Sequence, residues 1–299
     1  MSTNSKGNSL SAIIPIANYS LHKQNIRSFL IDLAKYEIEV ILVLDSETSE
    51  SLSDIETLVA KLKLSGKVFQ TKAGNPGESR NTGKRNASRD WIVFWDCDDQ
   101  PIIKTCIDMV TKAELEGAQV AIGSYQKEDK KTHTVTNYEI GKNHLGINIG
   151  LNPGIWRMVF HRKFIQNIDY PSLSMGEDQV FLGRVLNSNP IISYLNEYAY
   201  VYGTGIQNQL TANLLRKREI IGSYQLLLKE RKYSHRYVKI ISTMLMRQEI
   251  TILRLPKLGI YQKLRTIATL TLRALSNLDI LMLFVKYKIL EAQKKRSSS

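Results

Sequence analysis

Four short apolar runs, separated by segments of helical period, fill the first hundred residues of the chain. They are SAIIPIA (Ser11 to Ala17), IEVILVLD (Ile38 to Asp45), KVFQTKA (Lys67 to Ala73) and WIVFWD (Trp91 to Asp96). Between the first two, Ile26, Phe29, Leu30 and Leu33 fall at helical spacing. Leu52, Ile55, Leu58, Val59 and Leu62 do the same in a helix predicted from about Ser51 to Leu64. Strands joined by crossover helices form a parallel sheet, because parallel neighbours cannot be linked by a tight turn. The pattern therefore predicts an α/β fold, and such sheets take their ligands beyond the carboxyl ends of the strands.

Acids collect at those ends. Asp45 closes the second run and Asp96 the fourth, with Asp98 and Asp99 directly after. Strand geometry continued for two more residues would put Asp96 and Asp98 on one side and Cys97 on the other. Carboxylates this close repel one another unless a cation or donors share the site. Their hard oxygens suit Mg²⁺ or Mn²⁺, with substrate phosphates completing the shell. Pro76 and Gly77 mark a loop entering a helix that carries Arg80 and Asn81, and Glu177 and Asp178 open another helix where the macrodipole favours acids. Residues 118–126 and 132–140 read as a strand pair. The stretch from Gly141 to Gly154 reads as a Gly/Asn-rich loop, IWRMVFHRKFI as a strand turning into a short helix, and PIISYLNEYAYVYG as the close of the sheet.

Charge divides the chain. The net charge is +13, yet residues 206–299 hold 19 Lys and Arg against 5 Asp and Glu, a net +14, and the remainder is −1. That basic third reads as helices with Leu264, Ile267, Leu275, Leu278, Met282, Val285 and Ile289 near one stripe, most simply the face packed on a neighbouring helix. Basic amphipathic helices also suit an anionic membrane surface, here the inner face of a bacterial cytoplasmic membrane. No motif of an RNA- or DNA-binding module accompanies them, which argues against nucleic acid. No uncharged apolar run reaches the roughly 18 residues needed to span a bilayer. Two cysteines, Cys97 and Cys106, imply no disulfide framework and a cytoplasmic setting. The polar residues 1–9 read as a loose terminus without the apolar core of a signal peptide.

Four segments in order resemble glycosyltransferase family 2, whose members have the GT-A fold. SAIIPIAN is similar to the opening strand, and VILVLDSETSE to the second strand with its acid. The stretch from Gly74 to Pro101 resembles the Arg-Asn-x-Gly helix leading into an Asp-x-Asp strand, and residues 154–186 the acceptor-side segment ending in a Glu-Asp pair. The resemblance covers roughly residues 10–205 and implies a Rossmann-like mixed sheet flanked by helices, with residues 206–299 as a helical extension. It also implies a metal-dependent, inverting transfer of a sugar from a nucleotide-diphosphate donor, most simply a UDP-sugar, to a glycan or lipid-linked acceptor in polysaccharide assembly.

By the same resemblance Asp96 and Asp98 hold Mn²⁺ or Mg²⁺ on the diphosphate, and Asp178, beside Glu177, is the general base. Pro15, Ala17, Asn18, Asp45, Arg80, Asn81 and Cys97 lie around the nucleotide, and Gly154 and Trp156 on the acceptor side. Ser46 stands where many members carry a second acid, and the Gln-x-x-Arg-Trp motif of processive synthases is missing, which implies one addition per binding event. The Asp-x-Asp also occurs in haloacid dehalogenase-like phosphatases, but there it follows the first strand of the domain, whereas three strand-helix units precede it here.

Overall fold

The computed structural model describes residues 9–140, 145–205, 216–229, 236–255, 258–279, 281, 282, 285 and 289. The predicted terminus therefore lies, save for Ser9, outside the described residues. Strand β1 (Leu10–Ile16), helix α1 (Tyr19–Leu33), strand β2 (Glu39–Asp45), helix α2 (Ser49–Lys61), strand β3 (Gly66–Thr71), helix α3 (Pro76–Asn86) and strand β4 (Trp91–Phe94) follow one another as the alternation predicts. Then come β5 (Gln100–Pro101), α4 (Ile103–Glu116), the antiparallel pair β6 (Val120–Asp129) and β7 (Thr134–Tyr138), α5 (Leu145–Leu151), β8 (Met158–His161), α6 (Arg162–Ile165), α7 (Glu177–Asn187) and β9 (Ile192–Thr204). Helices α8 (Ile220–Lys229), α9 (Val238–Leu253) and α10 (Ile260–Leu275) complete the described chain.

One sheet runs in the order β3-β2-β1-β4-β8-β6-β9-β5, with β7 beside β6. Strands β3, β2, β1 and β4 are parallel, and β8 enters antiparallel to both β4 and β6. The first four strands are thus the parallel sheet that the sequence pattern describes, and the whole is mixed. Both faces are covered, one by a cluster containing Phe29, Leu30, Trp95 and Met109, the other by one containing Ile13, Phe94, Phe160 and Phe181. Burial on both faces is why β1, β2 and β4 read as continuous apolar runs instead of alternating.

Three expectations change. Strand β4 stops at Phe94, and Cys97 to Asp99 form a turn closed by the Asp99 amide on the Asp96 carbonyl at 3.3 Å. The turn still buries Cys97 and leaves Asp96 and Asp98 partly open, so the separation of side chains survives without the strand. Within the expected loop from Gly141 to Gly154 lies α5, despite two glycines in its seven residues. Its support is tertiary: a Cβ at Gly150 would come within 2.6 Å of the Ile240 carbonyl oxygen and of Thr243 Cβ, so only glycine lets α9 approach this closely. Helix propensity yields to packing there. The third change concerns the C-terminal stripe, which does not pack on a neighbour. Helix α10 contacts Leu151 and Met246 through Leu270 and Ala274, while Leu264, Ile267, Leu275, Leu278, Met282, Val285 and Ile289 are exposed.

Helix α9 is part of the main core, since Ile240, Ile241, Met244 and Leu245 join the cluster around Phe181. Among the described residues no helix is long and apolar enough to cross a membrane. On the site side, α3 lies against β1 at Gly83, where a Cβ would overlap Ile13 Cγ2 in the core. Gly83→Val is expected to destabilise the protein by about 1–3 kcal/mol through overpacking. Urea denaturation followed by circular dichroism measures this, and an unchanged midpoint would show that α3 can move off the sheet.

Candidate active site

Helix α3 is capped by the Asn75 side chain, which accepts from the Glu78 amide at 2.9 Å, and Pro76 occupies its first turn. Its sequence, PGESRNTGKRN, lacks an apolar stripe, yet Ser79, Arg80, Asn81, Gly83 and Lys84 are buried. Each long polar side chain is engaged. Asn81 exchanges hydrogen bonds with the Tyr170 backbone, donating at 3.0 Å and accepting at 2.8 Å. The Lys84 ammonium donates to the carbonyls of Ile165, Gln166 and Ile168 and to Asp169 Oδ1 at 2.7 Å. These contacts fasten the chain that leads from α6 to α7.

Arg80 makes the central contact. Its Nη1 donates to Glu177 Oε1 at 2.6 Å and its Nη2 to Asp96 Oδ1 at 2.8 Å. Burial opposes the arginine charge, but Asp96 and then Glu177 outweigh it and hold the guanidinium protonated. The expected fork for a nucleotide phosphate or base is therefore occupied by two carboxylates of the protein. Likewise Asn81 serves as a brace to Tyr170, and Cys97 turns its thiol into the core, where burial and then Asp98 push its pKa well up.

At the carboxyl ends of β1 and β2, Pro15 is partly exposed, and Ala17 and Asn18 are exposed. Asn18 has a left-handed φ of 56° at the entry to α1. Asp45 Oδ1 accepts from Ser46 Oγ at 3.1 Å, Thr71 Oγ1 at 3.3 Å and the Gly74 amide at 3.1 Å, which fixes its carboxylate between β2, β3 and the loop before α3. Asp98 is pushed upward in pKa by burial first and by Asp96 second. Asp99 is buried, accepting from Tyr200 Oη at 3.1 Å and the Gly203 amide at 2.7 Å. Tyr200 Oη also accepts from the Asp96 amide at 3.2 Å, so β9 holds the acidic turn in place.

Do these residues fit a divalent cation? Arg80 leaves Asp96 Oδ2 uncommitted, and the raised Asp98 carboxyl is a negative group in need of a positive neighbour. Two carboxylates beside an open edge suit a hard cation whose remaining ligands are water and phosphate. Among the described residues no three such groups converge into a closed cage.

Asp178, next to Glu177 at the start of α7, is the group with the most useful titration. Burial first, and the Glu177 charge second, raise its pKa to about 7, against the pull of Arg80 and the Gln179 amide. Beside the acidic turn stands an aromatic wall. Trp156 stacks on Tyr200 with centroids 4.5 Å apart and on Tyr202 at 5.5 Å, and meets Tyr125 edge-on at 4.8 Å. Tyr138 stacks on Tyr125 at 4.7 Å. Gly154 is required by this wall, since a Cβ there would overlap the Trp156 indole. The site residues Lys84, Tyr200 and Tyr202 are not among those singled out by sequence. The tyrosines of NEYAYVYG were the available signal: Tyr200 and Tyr202 share one strand face, while a bulge before Tyr200 sets Tyr198 apart.

Residues 11–184, more than half of the chain, match the model of glycosyl transferase family 2. The chain belongs to that family. It is 28% identical over 208 residues to the poly(ribitol-phosphate) beta-N-acetylglucosaminyltransferase TarS of two Staphylococcus aureus strains, an alignment covering 65% of this chain and 35% of the relative. The chain thus spans about a third of the length of these curated relatives. Among solved structures, S. aureus TarS 1–349 superposes with TM-score 0.64 at 20% identity over 85% of this chain and 77% of that one. Its complex with UDP-GlcNAc gives TM-score 0.58 at 20% identity over 83% and 82%. The mannosyltransferase PcManGT of Pyrobaculum calidifontis, with GDP-Man and Mn²⁺, gives 0.62 at 12% identity over 94% and 80%. The fold is GT-A.

In this family 2 member Arg80 neutralises a buried acid, so its loss leaves Glu177 uncompensated. Arg80→Met is expected to cost about 3–5 kcal/mol, most of it recovered when Glu177→Leu is added. Urea denaturation of the two single variants and the pair measures it; additive costs would show that the two side chains are not coupled.

Proposed function

We propose that this family 2 enzyme moves a sugar from a UDP-sugar to a hydroxyl of a glycan or lipid-linked acceptor, with inversion at the anomeric carbon, in the assembly of a surface polysaccharide. The observation that carries the reading is the joint at Arg80, which holds the base-bearing start of α7 against the acidic turn. Donor and acceptor machinery thereby share one rigid part. UDP-GlcNAc is the first donor to test, since it is bound in the TarS complex.

Asp178 takes the proton of the attacking hydroxyl. A base with a pKa near the working pH combines a usable ionised fraction with enough basicity to accept that proton. Glu177 and Arg80 fix the helix start that carries it. Asp45, held by its three donors, offers its other oxygen to the nucleoside, with Pro15, Ala17 and Asn18 alongside. Asp96 and Asp98 are the residues that would hold Mn²⁺ or Mg²⁺. Bound there, the ion would supply positive charge against the negative charge gathering on the leaving diphosphate. Trp156 and Tyr202 offer ring faces to an acceptor sugar, whose C–H surface packs well on aromatics.

Two measurements test this. Thermal shift with UDP and GDP, each with and without Mn²⁺, is expected to show a metal-dependent rise in melting temperature for UDP, by mass action. Asp98→Ala should abolish it, and a chain whose melting point no nucleotide moves would overturn the donor assignment. Asp178→Asn should lower kcat about 10²–10⁴-fold while the UDP shift remains. In the native enzyme transfer should rise with pH through about 7, because below that value the carboxyl keeps its proton and cannot accept another. Folding stability should fall as pH rises from the ordinary carboxylate range to about 7 and level off above it, since the unfolded chain releases this proton near the ordinary carboxylate pKa and the folded one holds it up to about 7. A flat rate profile between pH 5.5 and 8, a window of roughly 1.5 units below and 1 above that pKa, counts against Asp178 as the base.

A further inference from the structure

Helix α10 has no fully buried side chain. Its rotation about its own axis is nevertheless fixed. Arg273 pairs at 3.2 Å with Glu249, which is 0% exposed on α9 and also accepts from Tyr224 Oη at 2.6 Å. Asp279, just past the helix, is paired with Lys239. Arg273, Leu270 and Ala274 turn inward, and the face about 110° round from them is apolar and open: Leu264, Ile267 and Leu275 on the helix, and Leu278, Met282 and Val285 after it, are exposed, Leu264 by 59% and Met282 by 72%. At 100° per residue Leu264, Ile267 and Leu275 span about 80° of α10, with Lys263 and Arg265 flanking them on the two sides, and Leu278, Met282 and Val285 follow beyond the turn at Ser276 and Asn277. A contiguous apolar strip of this length on a protein surface marks an interaction site.

Charge decides the occupant. Over residues 260–289 there are five Lys and Arg and one acid, Asp279, which is already paired within the chain. A second copy docked along this seam would need acids opposite those basic side chains, and each copy brings a segment of net +14. An anionic lipid surface meets both requirements at once, taking the apolar stripe into the acyl boundary and the Lys and Arg heads among its phosphates. We propose that α10 and the segment after it dock on a membrane, lying in the plane of an anionic leaflet such as the inner face of the cytoplasmic membrane with Leu264, Ile267 and Leu275 of the helix and Leu278, Met282 and Val285 beyond it immersed. The inference does not depend on the donor, the acceptor or catalysis.

Flotation of the full chain with phosphatidylcholine vesicles, with and without phosphatidylglycerol, tests it. The chain should float with the anionic vesicles at least about tenfold better than with neutral ones, as several Lys and Arg contribute about 1 kcal/mol each. Leu264→Ser with Leu278→Ser should lower that binding at least about tenfold, since two leucines no longer leave water. Both positions are exposed, so the thermal midpoint serves as a control for folding and should not move. Lys263→Gln with Arg265→Gln should weaken the anionic arm alone. Absence of flotation, equal binding to both vesicles, or binding that the leucine pair leaves unchanged would each overturn the proposal. A dimer seen by sedimentation and dissociated by the same leucine pair, without lipid binding, would assign the face to a second copy instead.

Discussion

The guanidinium of Arg80 is the physical joint on which the site is built. It lies buried between Glu177, from the start of α7, and Asp96, from the turn after β4, and it is charged because both neighbours are acids. Without it two carboxylates from separate parts of the chain would face each other across low-dielectric space, where like charges repel strongly. With it, the α3 helix, the acidic turn and the start of α7 are joined. Burial first, and the neighbouring acids second, raise the carboxyl pKa values of Asp98 and Asp178.

Around that joint the architecture is redundant. Asn81 and Lys84 fasten α3 to the 165–170 segment from the same helix, while Tyr200 and the Gly203 amide hold Asp99 from β9. The polar character of α3 is thereby explained: it meets backbone carbonyls and carboxylates, not an apolar layer, and its side chains are long donors for that reason. Tyr200 and Tyr202 of the aromatic wall stand on β9, the strand that secures the acidic turn, and Trp156 stacks on both from the turn before β8.

The C-terminal region has two roles in one stretch. Helix α9 completes the core over Phe181, whereas α10, tied to it by Arg273 and Glu249, turns most of its apolar surface outward.

The sequence alone determined the first four strands and their helices, because burial on both faces leaves unbroken apolar runs and helical spacing marks the connections between them. It also determined that Asp45, Asp96 and Asp98 sit at strand ends and that Glu177 and Asp178 begin a helix, since a strand stop and a helix start are local events. Tertiary structure decided the rest. The α5 helix exists because Gly150 admits α9, the fork of Arg80 is filled because β4 and α7 deliver acids to it, and the tyrosines of β9 became a wall only when Trp156 arrived beside them. Periodicity showed that α10 has an apolar face. Which way that face points was settled by tertiary contacts, among them the Arg273–Glu249 pair 24 residues apart in sequence and the packing of Leu270 and Ala274, and contacts of that kind leave no mark in the local pattern.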